Sequence, residues 1–243
     1  MPVGIVTGAS RGLGLALTRA LSERGWRLVV DARGEGALAA AVASLGGEAG
    51  GSTGADGGSP ASLGGAVTPI AGDVSGPAHR EALVAAAGGR IDLLVNNASL
   101  LGPSPQPPLA DYPPDVLRRV YEVNVFAPLE LTRLALPHMP AGAAILNVSS
   151  DAAVEPYEGW GGYGSSKAAL EQLTNILAVE HHDLRVYTVD PGDMNTQMHQ
   201  EAFPGEDISD RPPPEESVPG LLALIEGELP SGRYRASEIA APR

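Results

Sequence analysis

"VTGASRGLGLAL", residues 6–17, places three glycines, Gly8, Gly12 and Gly14, between a short apolar run and a helical pattern. Glycine adopts backbone conformations that other residues rarely adopt, and it lets another group approach the chain closely. Gly8 is therefore predicted to turn a strand into a helix, while Gly12 and Gly14 let the backbone approach a ligand or a neighbouring strand. A pyrophosphate at the helix N-terminus is the ligand that this arrangement favours. A plain strand-to-helix connection is the alternative.

The rest of the chain alternates apolar runs with helical patterns. The apolar runs lack strict two-residue alternation, which is typical of parallel strands covered on both faces; they cover 3–7, 27–32, 66–73, 91–97, 143–149 and 184–190. The helical patterns cover 13–24, 77–87, 114–136 and 163–180, and the tail from residue 231 resembles a last strand. We predict an α/β fold with a doubly wound, Rossmann-type parallel sheet of about seven strands and helices on both faces, which binds ligands at the carboxyl ends of its strands.

Composition limits the classes of function. The 243 residues carry 16 Lys and Arg against 29 Asp and Glu, a net charge of −13, which argues against a nucleic-acid-binding surface. The absence of cysteine excludes disulfides and thiol catalysis. Neither a secretory leader nor a membrane-spanning run is recognisable. We expect one cytoplasmic domain, 1–243, with no membrane association and no metal site.

Two segments interrupt the alternating pattern. Residues 46–65 consist almost entirely of Gly, Ala, Ser and acidic residues, so we expect a flexible surface insertion. Residues 194–220 follow the end of a predicted strand, and from 203 onward they are rich in Pro and acidic residues. They are predicted to cover a substrate, with a solvated excursion as the alternative.

Six motifs in order resemble the short-chain dehydrogenase/reductase family. They are TGASRGLG (7–14), GDV (72–74), NNAS (96–99), SS (149–150), YGSSK (163–167) and DPGDMNT (190–196). The glycine spacing GxxxGxG is that of this family, whereas Ser99 stands where the family usually has Gly. The resemblance implies a hydride-transferring enzyme with a nicotinamide cofactor.

The predicted catalytic residues are Asn124, Ser150, Tyr163 and Lys167. Tyr163 and Lys167 are four positions apart, so one helix face carries both, and the ammonium can lower the pKa of the phenol, the acid/base group. Ser150 stands at the spacing of the family's serine that hydrogen-bonds the substrate oxygen. Pro128 has no N–H, which leaves the main-chain carbonyl of Asn124 free; the resemblance implies that this carbonyl holds a water of a proton relay.

The resemblance also implies a set of cofactor contacts: Gly8, Ser10, Arg11, Gly12, Leu13, Gly14, Ala32, Arg33, Asp73, Val74, Asn96, Ala98, Tyr163, Lys167, Pro191, Gly192 and Thr196. Arg33 and Arg11 favour NADP(H), because a cation pairs with the 2′-phosphate of the ribose. Asp31 is the alternative, since a carboxylate at the ribose hydroxyls would select NAD(H).

We therefore predict an NADP(H)-dependent oxidoreductase for a small carbonyl or alcohol substrate. A non-catalytic NADP-binding regulatory protein and a dehydratase or isomerase on the same scaffold are the alternatives. The resemblance further implies a homodimer or homotetramer joined through the long helices.

Overall fold

The computed structural model describes residues 1–45 and 65–239. Seven parallel strands form one sheet in these residues, in the order β3-β2-β1-β4-β5-β6-β7. They are β1 (Val3–Val6), β2 (Arg27–Ala32), β3 (Val67–Ala71), β4 (Leu93–Asn96), β5 (Ala144–Val148), β6 (Arg185–Asp190) and β7 (Gly232–Arg235). The predicted doubly wound sheet is thus confirmed, and the six predicted strand positions agree with β1 to β6.

Eight α-helices surround the sheet in the described ranges. They are α1 (Gly12–Glu23), α2 (Glu35–Leu45), α3 (Pro77–Ala86), α4 (Pro114–Tyr121), α5 (Ala127–Ala135), α6 (Gly161–Glu180), α7 (Gln197–Ala202) and α8 (Val218–Glu226). The predicted continuous helix over 114–136 is divided, because a π-helical turn at Glu122–Phe126 separates α4 from α5. No described helix is long and apolar enough to cross a membrane.

Both faces of the sheet are apolar, which explains why the strand sequences do not alternate. On one face, Val6 and Val30 pack in a cluster with Leu17 of α1 and Leu221 of α8. On the other face, Ile5 packs in a cluster with Leu83 of α3 and Leu131 of α5. Each fully buried side chain of this size contributes roughly 1.5–3 kcal/mol to stability.

The strand order changes direction between β1 and β4. The chain runs outward from β1 through β2 to β3, then returns and continues on the other side from β4 to β7. The connections after β1 and β4 therefore diverge and leave a crevice at the carboxyl ends of the two strands. The predicted insertion at 46–65 lies outside the described residues except for Gly65.

Candidate active site

A cleft of about 520 Å³ lies at the carboxyl ends of the strands. Most of the predicted site residues line this cleft: Gly8, Ser10, Arg11, Gly12, Leu13, Gly14, Ala32, Arg33, Asp73, Val74, Ala98, Ser150, Tyr163, Lys167, Pro191, Gly192 and Thr196. Asn96 and Asn124 lie behind its wall. Residues that are far apart in sequence thus meet at the predicted edge of the sheet.

The glycine turn depends on two left-handed glycines and two close approaches of the backbone. Gly8 and Gly12 have φ angles of +69° and +54°, which glycine adopts without strain. A Cβ at Gly14 would lie 2.3 Å from the carbonyl oxygen of Gly8, and one at Gly8 would lie 2.9 Å from the Cα of Ala98. Only hydrogen fits at positions 8 and 14, so the turn keeps β1 and the start of α1 in contact.

The N-terminus of α1 is suited to a phosphate. Arg11 precedes the helix and makes no side-chain capping bond, and the first helical turn carries no acidic residue. The first N–H groups of a helix have no partner within the helix, and the helix dipole is positive at this end. This end of the cleft therefore fits the pyrophosphate of a dinucleotide.

The two candidates for cofactor recognition at the end of β2, Asp31 and Arg33, both line the cleft but have different partners. Asp31 is 1% exposed. Its Oδ1 accepts a hydrogen bond from the N–H of Gly8 at 2.7 Å, and its Oδ2 lies 3.0 Å from Nε2 of His79. Arg33 is exposed and lines the cleft. Asp31 therefore supports the glycine turn, whereas Arg33 is open to a ligand.

Asp73 closes the adjacent side of the cleft. Its carboxylate accepts hydrogen bonds from the backbone N–H and the hydroxyl of Ser75, at 2.9 and 2.7 Å, and it pairs with Arg119. Burial raises the pKa of Asp73, but the bonds from Ser75 and the charge of Arg119 outweigh burial and hold it below its ordinary value. A fixed, charged side chain thus follows β3.

Tyr163 and Lys167 project from α6 into the cleft. Both are buried, and Nζ of Lys167 lies 5.4 Å from the centre of the Tyr163 ring. Nζ donates a hydrogen bond of 2.8 Å to the carbonyl of Val148, the last residue of β5. Burial lowers the pKa of Lys167 to about 8, against an opposing effect of the Glu171 carboxylate.

The pKa of Tyr163 differs from the sequence-based expectation. Burial raises it well above its ordinary value; the Ser99 hydroxyl lowers it, and the charges of Asp151 and Asp190 raise it further. Lys167 was expected to lower this pKa, but burial dominates in the protein without its cofactor. Tyr163 is therefore a protonated phenol at neutral pH.

Ser149 and Ser150 point in different directions, as expected for neighbours at the end of a strand. Ser149 Oγ donates to Glu171 in the interior at 2.6 Å. Ser150 Oγ lies at the cleft, where it donates to Oδ1 of Asp151 at 2.9 Å and accepts from the N–H of Ala152 at 3.2 Å. Both serines belong to the cleft wall, and Ser150, the serine at the family's spacing, is the one whose hydroxyl is not bonded to the interior Glu171.

Both polar atoms of the Asn124 side chain are occupied by hydrogen bonds within the wall of the cleft. Its Oδ1 accepts from the N–H of Leu100 at 2.8 Å and from the Ser99 hydroxyl at 3.2 Å. Its Nδ2 donates to the carbonyl of Leu100 at 2.9 Å and to the Ser166 hydroxyl at 3.0 Å. Asn124 lies in the π-helical turn that precedes Pro128, so only its main-chain carbonyl is a candidate for a relay.

The two asparagines after β4 have different surroundings. Asn96 is 3% exposed, and its Nδ2 donates to Asn147 on β5 at 2.7 Å. Asn97 lines the cleft and donates from Nδ2 to the carbonyl of Thr7 at 2.8 Å. The Asn96 side chain thus points into the interior, and the cofactor contact expected from the Asn96 backbone stays a prediction.

Comparison with known proteins identifies the family. The family model described as short chain dehydrogenase matches residues 2–207. The chain belongs to the short chain dehydrogenase family. It is an oxidoreductase family whose members use NAD(P).

Two similar curated proteins are reductases by name. Dehydrogenase/reductase SDR family member 4 from Bos taurus is 35% identical over 204 residues, which cover 81% of this chain and 67% of that protein. Sepiapterin reductase from Xenopus laevis is 32% identical over 209 residues, which cover 82% and 75% of the two chains.

Solved structures of short chain dehydrogenases have the same fold. One from Pseudomonas syringae is 30% identical, has a TM-score of 0.85 and is matched over 97% of this chain and 94% of its own. Another, from Shigella flexneri and complexed with NADP, is 26% identical with a TM-score of 0.83 and 97% coverage of both chains.

Helix α7 forms part of the cleft wall within segment 194–220, which was predicted to cover a substrate; the helix itself was not predicted. Gln197, Met198, His199 and Glu201 line the cleft, and Gln197 accepts a hydrogen bond from Arg11 of the glycine turn. Thr196 caps the helix, since its hydroxyl accepts from the N–H of His199 at 3.3 Å. Thr196 followed by a short helical pattern was the available signal, because threonine is a preferred N-cap.

Proposed function

We propose that the chain is an NADP(H)-dependent oxidoreductase that reduces a ketone or aldehyde, or oxidises the corresponding alcohol. The observation that carries this proposal is a buried, protonated phenol, Tyr163, beside the Lys167 amine and in the same cleft as the Ser150 hydroxyl. Such a phenol is an acid placed where a carbonyl oxygen can receive its proton. A regulatory protein that only senses the cofactor has no use for it.

The residues at the two ends of the cleft have separate tasks. The N-terminus of α1 would hold the pyrophosphate, and Arg33 with Arg11 would pair with the 2′-phosphate. The bound cofactor, when reduced, supplies a hydride to the carbonyl carbon. Segment 194–220, which includes α7, would cover the substrate, since Met194 and Met198 line the cleft together with Trp160.

Residues of the protein would carry out the proton transfers to the substrate oxygen and back to Tyr163. Ser150 would hold the carbonyl oxygen through a hydrogen bond, and Tyr163 would donate its phenolic proton to that oxygen as the alcohol forms. The resulting phenolate is stabilised by a protonated Lys167, since an opposite charge nearby favours an ionised group. The main-chain carbonyl of Asn124 would hold the water that returns a proton from solvent. Reduction requires the protonated phenol, which is the form of Tyr163 at neutral pH.

Tyr163→Phe tests this mechanism. We expect turnover of carbonyl compounds, followed by the loss of NADPH absorbance, to fall by about 10²- to 10⁴-fold, the contribution of a positioned general acid. NADPH binding measured by calorimetry should change little. Tyr121→Phe is the matched control, because the Tyr121 hydroxyl is absent from the lining of the cleft and bonds to the exposed Ser165 of α6 in the described part of the chain. Full turnover by Tyr163→Phe would reject the mechanism.

A further inference from the structure

Asp151 is an acidic side chain at the substrate end of the cleft that the mechanism above does not use. It is half-buried and lines the cleft directly after Ser150. Its Oδ1 accepts from the Ser150 hydroxyl at 2.9 Å, and its Oδ2 accepts from the Tyr157 hydroxyl at 2.9 Å. Its partners in these bonds are neutral hydroxyls, so its negative charge is not balanced by them.

The neighbouring arginines are paired elsewhere. Arg233 lies 3.1 Å from Glu171, and Arg235 lies 3.2 Å from Asp190. Within residues 1–45 and 65–239, no Lys, Arg or His forms an ion pair with Asp151. Lys167 donates to the carbonyl of Val148. In the described residues Asp151 therefore presents a carboxylate to the cleft without an ion pair, and the charge of Arg235, which pairs with Asp190, acts on it only at longer range.

The hydrogen bond between Ser150 and Asp151 conflicts with the proposed role of Ser150. A serine hydroxyl has one hydrogen, and a substrate carbonyl oxygen can only accept. Ser150 must therefore turn its hydrogen away from Asp151 to bind the substrate oxygen. A hydrogen bond to a carboxylate is stronger than one to a neutral carbonyl, so this exchange is unfavourable unless the substrate gives Asp151 a new donor.

Aromatic rings surround this corner of the cleft. The Trp160 ring centre lies 6.2 Å from that of Tyr157, 5.9 Å from that of Tyr163 and 5.8 Å from that of Phe203. Aromatic faces attract cations. The cleft wall carries charges of both signs, among them Asp193, Glu201, Arg11 and Arg33, so a preference for a cation has to come from a particular carboxylate.

We infer that Asp151 selects the substrate, and that the preferred substrate is a carbonyl compound bearing a protonated amine close to the carbonyl. This inference rests on the proposed function. The ammonium group takes the place of Ser150 at Asp151, and the Ser150 hydroxyl is then free to donate to the carbonyl oxygen. Apolar or aromatic parts of the substrate pack against Trp160.

The distances limit where the amine stands. The substrate oxygen lies about 2.8 Å from Ser150 Oγ when hydrogen-bonded to it, and Oγ lies 2.9 Å from Asp151 Oδ1. The substrate oxygen and Oδ1 of Asp151 are therefore neighbours. An amine separated from the carbonyl carbon by one to three carbons can reach Asp151, whereas a carboxylate at the same place meets a like charge.

Three aryl ketones of nearly equal shape test this inference. They are 3-(dimethylamino)propiophenone, which is cationic, 4-methyl-1-phenylpentan-1-one, which is its neutral analogue, and 4-oxo-4-phenylbutanoate, which is anionic. Binding to the protein with NADP⁺ is measured by calorimetry, because the oxidised cofactor has no hydride to transfer and the ketones stay intact. We expect the cation to bind about tenfold more tightly than the neutral ketone, and the anion to bind most weakly.

Single substitutions test whether Asp151 causes the tighter binding of the cationic ketone. Asp151→Asn should reduce the cation-to-neutral ratio to about threefold or less, whereas Asp193→Asn should leave it unchanged. Asp193→Asn is the matched control, because it removes the same charge from the Asp193 side chain, which lines the same cleft and is 62% exposed. If Asp151→Asn does not fold, the three affinities of the unmodified protein still decide.

The outcomes separate this inference from the proposed function. Equal affinities for the three ketones, tightest binding of the anion, or no binding of any of them would overturn the inference. So would an Asp151→Asn variant that keeps the full preference for the cation. Reduction with NADPH is then measured for each ketone: binding in the expected order without reduction of any ketone contradicts the proposed function alone.

Discussion

At the scale of single residues, burial in the candidate site shifts the pKa values of two ionisable groups toward their uncharged forms. Burial raises the pKa of the Tyr163 phenol and lowers that of the Lys167 ammonium to about 8. The spacing of the two residues predicted their proximity. It could not predict the effect of burial on their pKa values, because burial depends on α7 and on the walls of the cleft, which come from other parts of the chain.

The lowered pKa of Lys167 has a consequence for stability. The unfolded chain binds a proton at Lys167 up to about pH 10.5, but the folded chain loses it near pH 8. Between these values the unfolded state binds more protons, so the free energy of unfolding contributed by this residue increases with pH. Below pH 8, burial of the charge destabilises the fold by its full amount.

Lys167→Met should remove this dependence in the cofactor-free protein. We expect the difference in free energy of unfolding between variant and parent to shrink by about 2 kcal/mol from about pH 7 to about pH 9.5, the variant being the more stable at the lower pH. Urea denaturation at both pH values measures it. A difference that is the same at both values would show that Lys167 is not neutralised by burial.

Cofactor choice is a second property of single residues. Arg33→Ala should weaken NADPH binding roughly 10- to 100-fold, the effect of losing one charge-assisted hydrogen bond, while NADH binding changes little. Calorimetry with both cofactors measures it. Arg24→Ala is the control, because Arg24 pairs with Glu226 at the other end of α1. Tighter binding of NADH than NADPH by the unmodified protein would contradict the proposal.

At the scale of elements, patterns within one segment predicted most of the structure. The apolar runs identified β1 to β6, because most of these strands are buried on both faces; β3, at the edge of the sheet, has no buried residue and was found from its apolar sequence alone. Helices α2 and α8 were missed: α2 is rich in alanine, and only Leu38 and Ala41 in it are buried, while α8 begins within the segment predicted as a loop. The break between α4 and α5 was only partly foreseen from Pro128.

The π-helical turn and the loop after β4 are joined through Asn124. Asn124→Ala would leave the N–H and C=O of Leu100 without partners beside a buried position. Each unsatisfied buried group costs about 1–3 kcal/mol, so we expect a loss of roughly 3 kcal/mol in the free energy of unfolding.

Urea denaturation of Asn124→Ala checks this value. Ser99→Ala is the comparison, because it removes the interactions of the Ser99 hydroxyl with Oδ1 of Asn124 and with the Tyr163 phenol but leaves the bonds between Asn124 and Leu100 in place; we expect a loss of about 1 kcal/mol. Equal stability of Asn124→Ala and the unmodified protein would mean that the loop is held by other contacts.

At the scale of the whole molecule, the sheet order explains why motifs spread over about 190 residues meet. The change of direction between β1 and β4 brings the glycine turn, the segment after β4 and the end of β5 to one edge. The order of the motifs in the sequence predicted that these three segments lie together. The structure of the substrate end of the cleft depends on α7, and the order of the motifs did not predict that helix. The single domain predicted for 1–243 stays a prediction.

Large apolar side chains are exposed on the long helices. Ile176 and Val179 on α6 are 41% and 63% exposed, and Phe126 in the π-helical turn is 48% exposed. Ile176 and Val179 are three positions apart and therefore lie on one face of α6. Such side chains favour an interface with a second copy, in which every contact occurs twice about a two-fold axis.

Replacing both α6 side chains by Glu tests the predicted homodimer or homotetramer. We expect sedimentation of the unmodified protein to give the mass of two or four chains, and Ile176→Glu with Val179→Glu to give the mass of one. The reason is that each buried side chain of this kind contributes roughly 1.5–3 kcal/mol, and the symmetric interface loses four of them. Val154→Glu is the control, because Val154 is 54% exposed but lies outside these helices. An unmodified protein that sediments as one chain would contradict the prediction, and dissociation by Val154→Glu alone would move the interface to another surface.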